Sequence, residues 1–283
     1  MNNYLFLLPL YNDWESLLIL HEKINDQMGK LKKRGKILII NDFSNNEPPI
    51  FKKYENIDEV QIINLNKNLG SQKAISVGLK YLKSSTNNTI ITILDSDGED
   101  DVNKIPDMIN EAENNPKKII VSTRTKRQEN SFFRAAYFFH KFLTFILTFE
   151  WISYGNFSSF HSSQITKILS NNSSWLAISS SFAKNCEILK IKAERKKRLI
   201  GKSKLSVVGL ISHSLRINCV FLLRVIFLSI IYCFFIFIFF SANLNIAIII
   251  SLIIVFYNIM ILFTLIKNRQ KDFNNSLSFI KNK

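Results

Sequence analysis

The sequence is poor in the residues that mark linkers, collagen-like repeats and low-complexity segments. Its 283 residues include only 8 glycines and 5 prolines, whereas 47% are hydrophobic. Such a composition is typical of a chain that buries a core, and it excludes a disordered or low-complexity chain. The length allows one domain of catalytic size with an appendage.

Cysteines are also scarce. Cys186, Cys219 and Cys233 are the three in the sequence, and no two have CxxC spacing. This pattern indicates neither a disulfide framework nor a zinc site, so we expect a reduced, cytosol-facing catalytic part. The apolar run at residues 4–8 has no basic flank before it and soon meets Asn12 and Asp13. We therefore interpret it as a strand rather than a signal peptide.

The net charge of +15 comes from 37 Lys and Arg against 22 Asp and Glu. On charge alone the chain is not a nucleic-acid-binding tail, and we predict no nucleic-acid partner. The position of the charges is more informative than their sum, because long segments near the C-terminus have almost none.

Two apolar segments are predicted to cross a membrane. Residues 244–266 contain no charge and are long enough for about 30 Å of hydrocarbon. Residues 217–240 are interrupted only by Arg224, which can extend its guanidinium to the headgroups. The link at residues 241–243 is short, which predicts a tight hairpin with both ends on the cytoplasmic side of the inner membrane. The flanking basic residues that favour this orientation are Lys192, Arg195, Lys196, Lys197, Arg198, Lys202, Lys204, Arg216, Lys267, Arg269 and Lys271.

These observations predict three regions in a multi-pass membrane protein. Residues 1–215 form a cytoplasmic domain, residues 216–267 form the two spans, and residues 268–283 form a cytoplasmic basic tail. Within the first region, residues 135–149 are rich in phenylalanine but too short to span a bilayer. They favour an amphipathic segment at about residues 132–150 that contacts membrane lipid; the alternative is a buried core helix.

Strand and helix patterns alternate over the first 125 residues. Helical patterns cover residues 14–31, 71–82 and 103–113, and short β-rich runs cover residues 4–8, 37–40, 60–65, 90–94 and 119–121. This alternation predicts an α/β fold with a mainly parallel sheet sandwiched by helices. Ligands bind such sheets beyond the carboxyl ends of the strands. Polar clusters occur at three of these ends, at residues 9–13, 41–44 and 95–97.

The strongest chemical signal is an acidic cluster with five carboxylates within residues 95–101. Oxygen ligands at a strand end suit Mg²⁺ or Mn²⁺, which could hold a substrate diphosphate. The competing interpretation is an acidic loop in which Asp100 or Asp101 caps the following helix. We expect Asp95 and Asp97 on the metal and the later acids nearer the cap.

Five motifs in this order resemble family 2 glycosyltransferases of the GT-A fold. They are PLYND (residues 9–13), INDFS (40–44), NLGSQKAISVGL (68–79), LDSDGED (94–100) and STRTKR (122–127). Together with the two spans and RLIGKSK at residues 198–204, the sequence is similar to the polyprenyl-phosphate sugar synthases, in the branch of the dolichyl-phosphate mannose synthases. The resemblance covers roughly residues 4–266 and implies a GT-A, Rossmann-like fold.

The resemblance implies a metal site and a nucleotide pocket. Asp95 and Asp97 match the metal-binding DxD of the family, and Glu99 stands beside them as a further ligand of Mg²⁺ or Mn²⁺. Asp42 is implied to read the base. The other residues implied to bind the nucleotide or substrate are Pro9, Tyr11, Asp13 and Lys73.

Basic residues are implied to hold the anionic substrates. Arg124 and Arg134 match residues that meet the phosphates of the acceptor lipid and the donor in relatives, and they join Asp95 and Asp97 as catalytic candidates. Arg198, Ser203 and Lys204 match the RxxGxSK segment, which is implied to close over the site. A guanidinium fork suits phosphate oxygens, although an anionic membrane attracts any exposed basic residue.

The sequence departs from the family pattern at several positions, including Val102 and Asn103, where many relatives have Pro-Pro-Glu after the acidic motif. Asn41 replaces the first acid of a VDDGS-like motif, and Phe43 replaces its glycine. Asn156 stands where a GDF-type segment commonly carries aspartate. These departures leave the sugar and the acceptor open, and neither a UDP-sugar nor a GDP-sugar is favoured.

Three functions remain open at the level of sequence. The first is inverting transfer of a hexose from a nucleotide sugar to polyprenyl phosphate, which needs no general base because a phosphomonoester is already ionised at neutral pH. The second is transfer to a hydroxyl of a lipid-linked or cell-surface glycan, which needs a base from Glu99, Asp100 or Asp101. The third is a non-catalytic membrane scaffold, which only Asn41 and Asn156 favour. Self-association as a homo-oligomer is also left open.

Two further features of the sequence are a serine-rich segment and a pair of tryptophans. The Ser- and Asn-rich residues 170–181 resemble a flexible loop over the site. Trp151 and Trp175 are candidates either for anchoring at an interface or for stacking on a sugar.

Overall fold

A computed structural model describes residues 2–124, 131–201 and 207–281. The chain divides into two compact units. The first contains residues 1–128, 153–204 and 271–283, and the second contains residues 129–152 and 205–270.

The first unit is built on a seven-stranded sheet with the order β3-β2-β1-β4-β6-β5-β7. The strand β6 runs antiparallel to β4 and β5, and the other neighbouring pairs are parallel. The predicted α/β fold with a mainly parallel sheet is therefore confirmed. The strands are β1 (Asn3–Leu10), β2 (Gly35–Asn41), β3 (Ile57–Asn64), β4 (Thr89–Ile93), β5 (Lys118–Arg124), β6 (Tyr154–His161) and β7 (Glu187–Ala193).

Helices cover both faces of this sheet. The helices α1 (Trp14–Lys30), α2 (Ser71–Leu82) and α3 (Ile105–Asn114) follow the strands in the predicted alternation. Because side chains alternate across a strand, Phe6 of β1 packs in the cluster that contains α1 and α3, whereas Leu7 faces α2. Continuous apolar burial on both faces explains why these strands were readable as apolar runs.

The serine-rich stretch at residues 170–181 is not a loop, so that expectation is wrong. It follows α5 (Ile165–Ile168) and folds mostly into buried helical turns, which include α6 (Ser173–Leu176) and the start of α7 (Ile178–Asn185). Several of its hydroxyls bond to one another or to neighbours, as in the 2.8 Å contacts of Ser173 with Ser181 and of Ser174 with Ser76. Mutual hydrogen bonding removes most of the cost of burying them.

The C-terminal segment also folds as part of the first unit. Within it, α11 (Gln270–Asn274) carries Phe273, whose ring centroid lies 6.1 Å from that of Trp175. The Phe279 ring stacks on the same indole with the centroids 6.3 Å apart. Ile280 forms an antiparallel bridge with Leu65 beside β3. Trp175 is only 1% exposed, so it is a core residue and not a platform for a sugar.

The second unit contains α4 (Ser131–Thr148), α8 (Val207–Val220), α9 (Leu222–Phe239) and α10 (Leu244–Lys267). Among the described residues, α9 and the helix that begins at Leu244 are long and apolar enough to cross a membrane. The first apolar helix begins at Leu222 rather than at residue 217, because the chain turns at Phe221 and the preceding residues end α8. Near its start, Arg224 pairs with Glu150 at 2.9 Å.

Aromatic side chains are exposed on and just after α4. Phe138 and Phe142 stack at 6.3 Å, Phe145 lies 5.9 Å from Trp151, and all four rings are exposed. The ammonium group of Lys141 lies over the Trp151 ring at 4.9 Å. Exposed rings with a basic neighbour are what an interfacial helix requires, and contact of this segment with lipid remains a prediction.

Candidate active site

A cleft opens at the carboxyl ends of β1, β2 and β4. Its volume is about 240 Å³. Adjacent parallel strands end at the same edge of the sheet, which is why residues far apart in sequence meet there. The side chains that line the cleft are Pro9, Leu10, Tyr11, Asp13, Asp42, Ser71, Asp95, Ser96 and Asp97.

Asp42 holds the loop that leads into α2. It is 2% exposed, and its two carboxylate oxygens accept hydrogen bonds from the backbone amides of Leu69 and Gly70, both at 2.7 Å. Burial raises the pKa of Asp42 to about 6, although these amides and the nearby Lys73 favour the ionised form. The position of Asp42 at the cleft is compatible with reading the base, which remains a prediction.

The acidic loop after β4 turns tightly at Gly98. This residue has a φ of +77°, and a Cβ atom there would lie 2.4 Å from the side chain of Leu199. The turn lets the Glu99 amide donate to Asp97 at 3.1 Å, and the Asp100 carboxylate accepts from the Asp95 amide at 3.0 Å. Glycine is therefore required both by the backbone conformation and by close packing.

Asp95 and Asp97 fit the predicted divalent cation. Burial, and then the neighbouring Asp95 carboxylate, raise the pKa of Asp97 to about 6. A cation would relieve this repulsion, and Mg²⁺ commonly binds through one or two carboxylates together with substrate phosphates. Among the described residues, no group of three or more His, Cys, Asp or Glu side chains could hold a metal by itself.

Arg198 lies across the acidic loop. Its guanidinium donates to the Asp13 carboxylate and, at 3.4 Å, to that of Asp97. The Leu199 amide also donates to the Asp97 carbonyl at 3.1 Å. The segment that contains Arg198 therefore covers the acidic loop, while Ser203 and Lys204 lie outside the described residues.

The later acids of the cluster are engaged by the same segment. Glu99 forms an ion pair with Arg195, whose Nε lies 2.7 Å away. Asp101 lies 3.7 Å from Lys196 and precedes a short helical turn without a side-chain capping bond. The capping interpretation is therefore not borne out for Asp101, and Glu99 contacts Arg195 through Oε2.

Two amide side chains connect Asp95 to the protein core. The Nδ2 atom of Asn156 donates to Asp95 Oδ1 at 3.1 Å, and Gln72 donates to Asn156 Oδ1 at 2.9 Å. Sequence reasoning did not single out Gln72. The only signal in the sequence was the departure from aspartate at Asn156.

Of the other predicted residues, Lys73 does not line the cleft, and the side chains of Arg124 and Arg134 are not described. Lys73 lies over the Trp175 ring at 5.1 Å. Arg124 ends β5, and Arg134 belongs to α4, but the side chains of both lie outside what the structure describes. Their contacts with phosphate remain predictions.

Phe43 occupies a backbone conformation that disfavours a side chain. Its φ is +66°, and its ring is 52% exposed. A left-handed conformation costs a non-glycine residue about 1–2 kcal/mol, partly offset by the entropy that glycine loses on folding. We expect Phe43→Gly to be about 0.5–1 kcal/mol more stable than Phe43→Ala in denaturant unfolding of the full chain in detergent. Equal stability of the two variants would contradict the strain, because both lack the ring and only alanine keeps the Cβ atom.

The family model described as glycosyl transferase family 2 matches residues 6–171 of the chain. An uncharacterized glycosyltransferase of Bacillus subtilis is 29% identical over 136 residues, which is 46% of this chain and 40% of the relative. The undecaprenyl-phosphate 4-deoxy-4-formamido-L-arabinose transferase of Proteus mirabilis is 26% identical over 137 residues, 47% of this chain and 40% of the relative. The chain therefore spans less than half the length of these relatives.

Solved structures share the fold at low sequence identity. A mycobacterial protein matches with a TM-score of 0.53 and 10% identity, over 79% of this chain and 74% of the other. Glucosyl-3-phosphoglycerate synthase from Mycobacterium tuberculosis, in complex with Mn²⁺, UDP-glucose and phosphoglyceric acid, matches with a TM-score of 0.50 and 12% identity, over 79% and 80% of the two chains. These matches extend the similarity beyond the segment covered by the family model.

Proposed function

Because the chain belongs to glycosyl transferase family 2 and has the GT-A fold, we propose that it moves a hexose from a nucleotide sugar to polyprenyl phosphate at a membrane. The observation that carries this proposal is the cleft in which Arg198 bridges Asp13 and Asp97, in a chain that also has two apolar helices. The Proteus mirabilis relative, an undecaprenyl-phosphate transferase, supports the acceptor. The UDP-glucose in the Mycobacterium tuberculosis structure supports the class of donor.

We assign the donor diphosphate to the edge of the cleft formed by Asp95 and Asp97. Mg²⁺ or Mn²⁺ bound by these two carboxylates would supply positive charge to the departing diphosphate. Pro9, Tyr11 and Asp13 line the same cleft and would hold the nucleotide. Arg198 lies beside Asp97. Once a cation replaces it on this carboxylate, its guanidinium N–H groups would be free to donate to the phosphates.

The acceptor we propose is a phosphate rather than a hydroxyl. A phosphomonoester at neutral pH is ionised and can attack directly, with inversion, so the protein has only to position it and offset charge. A hydroxyl would need a general base, and the three candidates are engaged elsewhere. Asp100 accepts from the Asp95 amide, Glu99 pairs with Arg195, and Asp101 lies beside Lys196. Arg124 and Arg134 are proposed to meet the phosphates.

The connections of the chain support a hairpin orientation. The segment between residues 204 and 271 leaves the first unit and returns to it. If its two apolar helices cross a membrane, both connections must therefore lie on the same side as the first unit. Basic residues flank both ends, so we propose that this side is the cytoplasm and that the membrane is the inner membrane.

A donor panel tests the proposal. Membranes that contain the full chain are incubated with undecaprenyl phosphate and radiolabelled UDP- or GDP-sugars, with Mg²⁺ or Mn²⁺ and with a chelator. We expect one donor to give a lipid-extractable product that the chelator abolishes. Metal-dependent nucleotide binding without any lipid product would contradict the acceptor, and absence of both would favour a non-catalytic scaffold.

A further inference from the structure

Three side chains and one backbone amide form a continuous chain of hydrogen bonds that ends at Asp95. The amide of Ile178 donates to Gln72 Oε1 at 2.8 Å, and Gln72 Nε2 donates to Asn156 Oδ1 at 2.9 Å. Asn156 Nδ2 then donates to Asp95 Oδ1 at 3.1 Å. This series of hydrogen bonds joins the start of α7, the first turn of α2, the strand β6 and the loop after β4. We call its two amide side chains, Gln72 and Asn156, the amide relay.

The direction of the amide relay is set by its two ends. A backbone N–H can only donate, so the oxygen of Gln72 must face Ile178 and its NH₂ group must face Asn156. The oxygen of Asn156 is then the acceptor, and its NH₂ group points to the carboxylate of Asp95. Both amide orientations therefore follow from a fixed donor at one end and an acceptor at the other.

Burial makes this arrangement costly to disturb. Gln72 is 7% exposed, and Ile178 is fully buried. A buried amide that loses its partners costs about 1–3 kcal/mol, because little water can replace them. A flip of the Asn156 amide would carry the same cost, because the NH₂ group of Gln72 would then face the NH₂ group of Asn156.

From this geometry we infer that Gln72 and Asn156 are positioning residues that hold the Asp95 carboxylate in the orientation used by the cation and the donor diphosphate. The inference rests on the proposed function. A neutral donor at residue 156 satisfies one Asp95 oxygen without adding charge. An aspartate there would instead place a further carboxylate beside Asp95.

The test measures binding of Mn²⁺ to the full-length protein in detergent, by electron paramagnetic resonance, with UDP or GDP present. Loss of a side chain that orients a metal ligand typically lowers metal affinity by about 10–100-fold. We expect Asn156→Ala to raise the Mn²⁺ concentration for half-saturation within this range. Gln72→Glu should raise it as well, although residue 72 does not touch Asp95. Glutamate can accept from Ile178 but cannot donate to Asn156, so the relay would reverse.

Gln164→Ala is the matched control. Gln164 is 3% exposed and donates to the Pro116 carbonyl at 2.9 Å, so its replacement also removes a hydrogen bond made by a buried amide side chain. It should lower stability while leaving the Mn²⁺ half-saturation unchanged. The inference is overturned if Asn156→Ala and Gln72→Glu bind Mn²⁺ like the wild type, or if Gln164→Ala weakens binding equally. A wild-type protein that binds neither Mn²⁺ nor nucleotide would instead refute the proposed function, and the inference with it.

Discussion

Asp97→Asn is expected to lower sugar transfer by about 10³-fold without lowering the stability of the fold. The rate effect follows because the carboxylate is proposed to hold the cation that offsets charge on the departing diphosphate, and loss of such electrostatic stabilisation costs about 10²–10³-fold or more. The stability effect follows from burial and from the nearby Asp95, which raise the pKa of Asp97 to about 6.

The sign of the pH dependence can be worked out from this shift. The pKa of Asp97 is higher in the folded protein than the ordinary value of 3.8. The folded state therefore binds a proton on Asp97 more tightly than the unfolded state does. The stability that this proton contributes is fully present below pH 3.8 and is lost as the pH rises through about 6. Across this window the wild type should lose more stability than Asp97→Asn.

Transfer assays and thermal unfolding of the full chain in detergent provide the two readouts. Asp107→Asn is the control, because Asp107 is an exposed residue of α3 that pairs with Lys104 at 2.9 Å. It should leave transfer unchanged. Retention of transfer by Asp97→Asn would remove this carboxylate from the mechanism, and a loss of activity accompanied by unfolding would assign it a structural role.

Arg198→Ala is expected to lower kcat/KM by at least about 10²-fold. In the structure, the guanidinium bridges the carboxylates of Asp13 and Asp97 at the cleft. Its removal would leave those acids uncompensated where two anionic substrates are proposed to bind. Arg198→Lys should recover only part of the activity, because an ammonium group is a point charge and cannot form the same fork.

The control for this prediction is Lys197→Ala. Lys197 is the exposed neighbour of Arg198, so the change removes one positive charge from the same segment. We expect kcat and KM close to those of the wild type. An equal loss from both variants would show that the bulk positive charge of the segment matters, and not the contact of Arg198 with the two carboxylates.

The first half of the fold was predictable because its signals are local. The strands β1, β2 and β4 are apolar on both faces, and α1, α2 and α3 lie between β1 and β2, between β3 and β4, and between β4 and β5. The strand β6 escaped prediction because its centre contains the buried serines Ser158 and Ser159, which look polar in sequence. Ser159 is satisfied by Thr92 of the neighbouring strand at 2.8 Å, a contact that only the tertiary structure creates.

The candidate site shows the same limit. The acids that end strands could be placed from sequence, because parallel strands bring their carboxyl ends together. The partners of Glu99 and Lys73 could not, since Arg195 and Trp175 come from distant parts of the chain. The amide relay depends on where Gln72 and Asn156 meet in space, and the sequence contained only the departure at residue 156 as a hint.

The most direct test of the central claim compares two acceptors in one assay. With the donor identified by the panel, membranes containing the full chain are given undecaprenyl phosphate or undecaprenol, each with Mg²⁺ and with a chelator. We predict labelled lipid only from undecaprenyl phosphate with Mg²⁺, because Glu99, Asp101 and Asp100, the candidates for a base, are held by Arg195, Lys196 and the Asp95 amide. Labelled undecaprenol, or transfer to the phosphate that persists with the chelator, would contradict the account.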